Sequence, residues 1–135
     1  MKINIFTDGG ARGNPGPAGI GAVIKIGGKT QEISKYIGTA TNNQAEYQAV
    51  IIGLSWVKEN TKEDNLEIEC FLDSELIVHQ LSQKYKLKNE GLKPLFWQVR
   101  DLIMHLGGKV TFKYIPREQN KEADRLVNKA IDNKQ

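Results

Sequence analysis

Thr7-Asp8-Gly9-Gly10-Ala11-Arg12-Gly13-Asn14-Pro15-Gly16-Pro17-Ala18-Gly19 joins two apolar segments, Ile3 to Phe6 before it and Ile20 to Ile26 after it. The stretch sets a carboxylate, Asp8, at the exit of a short strand and follows it with five glycines and two prolines in eleven residues. Glycine lets backbone approach a ligand closely, and proline stiffens a loop. A carboxylate beside such a loop suits a metal ion or a backbone phosphate, but it is equally a tight connection with an incidental acid. The placing of the other acids decides between the two.

Working outward, residues 2–8 alternate Ile3 and Ile5 with Asn4 and Phe6, the pattern of a strand. Gly19 to Gly27 predicts a second strand, with Ile20, Ala22, Ile24 and Ile26 on one face. Gly27-Gly28 marks a hairpin turn into a third strand, Thr30 to Tyr36. Thr41 and Gln44 have capping-box spacing and start a helix whose apolar face carries Tyr47, Val50, Ile51, Leu54 and Val57. Glu46 falls in its first or second turn, amid apolar surface, an odd place for a free carboxylate.

Leu66 to Asp73 reads as a fourth strand, parallel to the first through a right-handed crossover, with Asp73 at its exit. Two parallel neighbours with acids at their carboxyl ends bring those acids together at the rim where α/β ligand sites form. A short helix, Ser74 to Ser82, precedes a basic loop and a longer helix ended by Gly107-Gly108. Lys109 to Ile115 is a fifth strand, and Asn120 can cap a last helix with Asp124 in its first turn.

Composition sets the outer bounds. The 135 residues, 39% apolar and 26% charged, predict one soluble domain over 1–135. One cysteine, Cys70, excludes an intramolecular disulfide framework and suits a reducing compartment. No segment has the length of a signal peptide core or a membrane span, so a cytoplasmic monomer is expected. The net charge of +3 is concentrated: Lys84 to Lys93 holds four lysines and one glutamate, and the rest of the chain sums to zero. A basic patch with Tyr85 inside is a nucleic-acid contact or a solvated loop.

Four acids thus stand at element ends: Asp8 and Asp73 on strands, Glu46 and Asp124 on helices. Four carboxylates brought together without cations would raise one another's pKa. Two divalent ions offset that charge, and a pair about 4 Å apart clamps both oxygens of an in-line phosphodiester displacement. Carboxylates without a His or Cys cluster favour Mg²⁺ or Mn²⁺ over zinc. His79 and His105 lie within helices and read as packing or surface residues. Asn14, Asn42, Asn43 and Gln44 supply amides for phosphate, sugar hydroxyls or base edges, or for helix capping. A nucleotide P-loop is excluded, since the glycine stretch lacks Gly-Lys-Ser/Thr and leads into a strand.

These motifs resemble a type 1 ribonuclease H of the short, prokaryotic, stand-alone form. The resemblance runs from Asp8-Gly9-Gly10-Ala11-Arg12-Gly13-Asn14-Pro15-Gly16 through Thr41-Asn42-Asn43-Gln44-Ala45-Glu46 and Leu72-Asp73-Ser74-Glu75 to Arg117-Glu118-Gln119-Asn120-Lys121-Glu122-Ala123-Asp124. It implies an α/β, ribonuclease-H-like fold: a five-stranded mixed sheet of order 3-2-1-4-5 flanked by helices. It also implies Mg²⁺-dependent endonucleolytic cleavage of RNA in RNA–DNA hybrids, leaving 5′-phosphate and 3′-hydroxyl ends. By match, Asp8, Glu46, Asp73 and Asp124 are the metal-binding acids, while Asn14, Asn42, Asn43 and Gln44 touch the hybrid, where 2′-hydroxyls mark the RNA.

Three departures from the family pattern stand out. Tyr114 occupies, by counting, the place of a loop histidine, and Arg117 is the candidate substitute at the scissile phosphate. Only Lys84 to Lys93 remains of a longer basic handle, and because strand one begins at residue 2, no appended hybrid-binding domain is expected. Two other readings stay open: a catalytically silent hybrid-binding module, which the four intact acids argue against, and an exonuclease or recombinase of the same broad fold, which the Asn-Asn-Gln run argues against.

Overall fold

Alternation of Ile3 and Ile5 with half-buried Asn4 and Phe6 builds a central strand, β1 (Lys2–Ala11), in the computed structural model, which describes residues 1–135. Antiparallel β2 (Gly16–Ile26) and β3 (Lys29–Ala40) follow, then α1 (Asn42–Asn60), β4 (Glu67–Leu72) and α2 (Glu75–Leu81). The chain closes with α3 (Lys93–His105), β5 (Val110–Tyr114), a single 3₁₀ turn at Arg117–Gln119 and α4 (Lys121–Asn133). The five strands form one sheet in the order β3-β2-β1-β4-β5, as expected. β1 pairs antiparallel with β2 and parallel with β4, and β4 pairs parallel with β5.

The main core lies between one sheet face and the helices α1, α2 and α3, where Ile3, Ile5, Ile24, Leu54, Ile68 and Ile103 are buried together. The capping box at Thr41 forms as predicted: Gln44 N–H donates to Thr41 Oγ1, and Thr41 N–H donates to Gln44 Oε1. On the opposite face, α4 lies against β2. Gly21 makes room for it, since a Cβ there would sit 2.2 Å from the Ala123 carbonyl oxygen. No helix is long and apolar enough to cross a membrane.

The glycine stretch departs from expectation. β1 does not end at Asp8 but continues to Ala11, β2 starts at Gly16 rather than Gly19, and only Arg12 to Pro15 lie outside strands. β3 likewise extends past Tyr36 to Ala40, across a register shift at Ala18/Gly19. Ladder pairing outweighs the low strand propensity of glycine, as tertiary context commonly does.

Candidate active site

The strands place two acids by the point at which they part. β1 stays paired with β2 as far as Ala11, but its parallel ladder with β4 ends at Phe6–Phe71. Asp8 lies just beyond that last parallel pair, held opposite Gly21 of β2, so the crevice opens at Asp8 even though the strand does not end there. Asp73 is the first residue after β4.

Glu46 reaches the same crevice from α1, and Gly9 lets it do so. A Cβ on Gly9 would lie 2.2 Å from the Ala45 carbonyl carbon and 2.6 Å from the Glu46 nitrogen. Backbone therefore packs on backbone. The Gly9 N–H donates to both Asp8 Oδ1, at 3.0 Å, and Glu46 Oε1, at 2.9 Å. Carboxylate oxygens of Asp8, Glu46 and Asp73 come within 4.8 Å of one another. Asp124, exposed in the first turn of α4, lines the same cavity of about 450 Å³ but stands outside that trio. Arg117 is on the rim of this cavity, exposed and free of any ion pair within the chain.

The electrostatics of the trio are unfavourable for the protein alone. Burial raises the Asp8 carboxyl from 3.8 to about 6, with the charges of Asp73 and Asp124 adding to the rise. Burial holds Glu46 well above the usual carboxylate range, and Asp8 beside it adds to the shift. Glu46 Oε2 is buried without any hydrogen-bond partner. A buried carboxylate oxygen with no donor is costly unless something positive faces it. Hard oxygen donors converging around an orphaned oxygen fit Mg²⁺ or Mn²⁺.

The amides do more structural work than the sequence alone suggests. Asn14 Oδ1 accepts from the Asn42 N–H, and Asn42 Oδ1 accepts from the Ala11 N–H, which clasps the β1–β2 connection to the start of α1. Gln44 Oε1 serves the capping box. All three keep their amide N–H₂ groups free, and Asn43 lines the acidic cavity without a bond of its own.

Asn120 departs most from expectation. It precedes α4 but makes no capping bond. Its Nδ2 instead donates to the Thr7 carbonyl at 2.9 Å and to Asp73 Oδ2 at 3.1 Å. Capping chemistry and this bridging role look alike in sequence, and the only signal was its place four residues before Asp124. Tyr114 pairs with Leu72 at the end of β5 and does not line the acidic cavity. His79 packs against the Tyr85 ring, centroids 4.7 Å apart, and His105 is exposed at the end of α3, so neither joins the acids. The basic segment forms a separate groove with Phe96 and Trp97, leaving Tyr85 half exposed.

Comparison with known proteins agrees with this geometry. Residues 6–130 match the family described as "Reverse transcriptase-like". A bifunctional protein of Mycobacterium tuberculosis is 40% identical over 98% of this chain, which spans only 36% of that relative's length. The ribonuclease H of Erythrobacter litoralis is 34% identical, covering 97% of this chain and 96% of its own. The crystal structure of LC11-RNase H1 in complex with an RNA/DNA hybrid superposes with a TM-score of 0.91 at 48% identity, over 97% of each chain.

Proposed function

The chain belongs to the ribonuclease H family, and on that premise we propose that it is an endonuclease hydrolysing the RNA strand of RNA–DNA hybrids. Residues 1–135 serve as one catalytic unit, and the products carry 5′-phosphate and 3′-hydroxyl ends. The observation that carries this reading is the convergence of Asp8, Glu46 and Asp73 around a buried carboxylate oxygen with no partner.

Those three acids would hold a divalent ion, and Asp124, on the cavity wall, would help to hold a second. Mg²⁺ or Mn²⁺ in such a site supplies positive charge to a phosphodiester under in-line attack and lowers the pKa of water. The rest falls to the protein. The Gly9 N–H orients one oxygen each of Asp8 and Glu46, and Glu46 Oε2 is left without a donor from the chain. The free amide groups of Asn14, Asn42, Asn43 and Gln44 stand ready as donors to phosphate and sugar oxygens, and among these the 2′-hydroxyl tells RNA from DNA. Arg12 on the same cavity is paired with Asp132, which leaves Arg117 as the unpaired cation able to contact the scissile phosphate or the departing product.

A gel assay compares hybrid, double-stranded RNA and duplex DNA in Mg²⁺. Hybrid alone is expected to be cut, and Asp73→Asn is expected to abolish the cutting. Full rate in Asp73→Asn would overturn the mechanism. Tight hybrid binding in chelator, with no turnover in any divalent ion, would assign a binding module instead. For Arg117, unchanged turnover in Arg117→Ala removes it from the site.

A further inference from the structure

We infer that Asn120 is a positioning residue for the acidic cluster: its side-chain amide ties Asp73 to the backbone before Asp8 and so sets the spacing between the two strand-borne acids. The inference rests on the metal-site reading above and adds to it a residue outside the four acids.

The parallel ladder between β1 and β4 ends at Phe6–Phe71. Past that point Thr7 is fully buried, and its carbonyl faces the gap between the parting strands with no β4 donor opposite. A buried carbonyl left without a donor is costly. Asn120 is 2% exposed, and it fills the gap with both hydrogens of one NH₂ group. One goes to Thr7 O at 2.9 Å and the other to Asp73 Oδ2 at 3.1 Å. A single planar amide therefore spans from the backbone adjoining Asp8 to the carboxylate of Asp73. Asp73 Oδ2 is engaged, while no donor in the chain is bonded to its Oδ1.

The same residue anchors the segment that carries the other site groups. The Asn120 N–H donates to the Arg117 carbonyl, and the Asp124 N–H donates to the Asn120 carbonyl. The Asn120 Oδ1 is itself buried and unpartnered. A residue kept for helix capping would turn that oxygen to the N–H groups of α4, and here it does not. Bridging requires a side chain with two donor hydrogens. Asp, Ser and Thr cap helices well but cannot supply that pair.

Asn120→Ser separates the two roles, because serine keeps capping competence and loses the bridge. The readout is calorimetric binding of Mn²⁺ to the chain without nucleic acid, with chevron-free equilibrium unfolding in EDTA as the folding control. Outer-sphere partners of metal-ligating carboxylates typically change metal affinity about 10- to 100-fold. We expect folded Asn120→Ser to bind Mn²⁺ at least about 10-fold more weakly than wild type. Affinity within about twofold of wild type would overturn the inference. A wild-type chain that binds no Mn²⁺ would instead sink the metal-site reading on which it rests. If Asn120→Ser does not fold, the wild-type protein carries the test by NMR. Mg²⁺ addition should move the Asn120 side-chain amide signals with the same midpoint as the Asp73 carboxyl carbon, and unmoved amide signals overturn the inference.

Discussion

To hold a cation at neutral pH, Asp8 and Glu46 must both be ionised, yet burial opposes this in each and sets the Asp8 carboxyl at about 6. The sign of the consequence follows from linkage. A carboxyl whose folded pKa is raised binds its proton more tightly in the native state. Its contribution to stability is full below 3.8, its unfolded value, and is lost as pH rises through about 6. For Asp8 alone the loss between pH 5 and pH 8 is of order 1–2 kcal/mol. The metal-free protein should therefore unfold at lower urea concentration at pH 8 than at pH 5, and Asp8→Asn should flatten that dependence while abolishing cleavage. Divalent ions compete with the proton for these oxygens, so stabilisation by Mg²⁺ should grow with pH over the same window. Urea titrations in EDTA and in Mg²⁺ check both. A metal-free protein as stable at pH 8 as at pH 5 would contradict the raised pKa.

At the scale of elements, the site depends on how closely α1 can lie on β1. The contact at Gly9 is backbone to backbone, with no flexible side chain to give way, so an added methyl must push the helix off the strand. Overpacking of this kind commonly costs about 1–3 kcal/mol and sometimes more. Gly9→Ala should lower the free energy of unfolding by at least that much, read as a lower urea midpoint. In the fraction that folds, it should also cut activity, because the N–H shared by Asp8 and Glu46 moves with the strand. Wild-type turnover in Gly9→Ala would show that this close approach does not set the site. Helix α1 itself was legible in the sequence because its capping box and apolar face agree with each other. The ends of β1, β2 and β3 were not, because glycine and proline punctuate local sequence while the ladder that overrides them is formed by partners far along the chain.

At the scale of the molecule, charge is divided between two surfaces. The acids gather in one cavity, and the surplus lysines gather in the segment that borders Phe96 and Trp97. A lysine-rich groove bordered by an exposed indole, Trp97 being 61% exposed, suits a phosphate backbone with stacking contacts at its side. Replacing Lys84, Lys86 and Lys88 together by glutamine should raise KM for hybrid several-fold and leave kcat unchanged. The dependence of binding on salt should become shallower, since fewer counterions are released. Kinetics at two or more salt concentrations measure both. An unchanged salt slope would leave the lysines as a solvated loop.

Local sequence specified the strand and helix order, the sheet order once the family resemblance was recognised, and the placing of Asp73, Glu46 and Asp124 near the ends of their elements. Periodicity, capping chemistry and motif spacing are local properties, and each is written in neighbouring residues. Three things were decided only in the tertiary structure. Asp8 sits inside β1 rather than at its end, because the antiparallel partner outlasts the parallel one. Asn120 bridges Thr7 and Asp73 instead of capping α4, because the gap it fills exists only when β1 and β4 lie side by side. The glycine and proline stretch shrinks to the four residues Arg12 to Pro15, and its Asn14 Oδ1 accepts from the Asn42 N–H at the start of α1. In each case the deciding partner is distant in sequence, and hydrogen-bond satisfaction in a buried crevice chooses among roles that the residue type alone leaves equal.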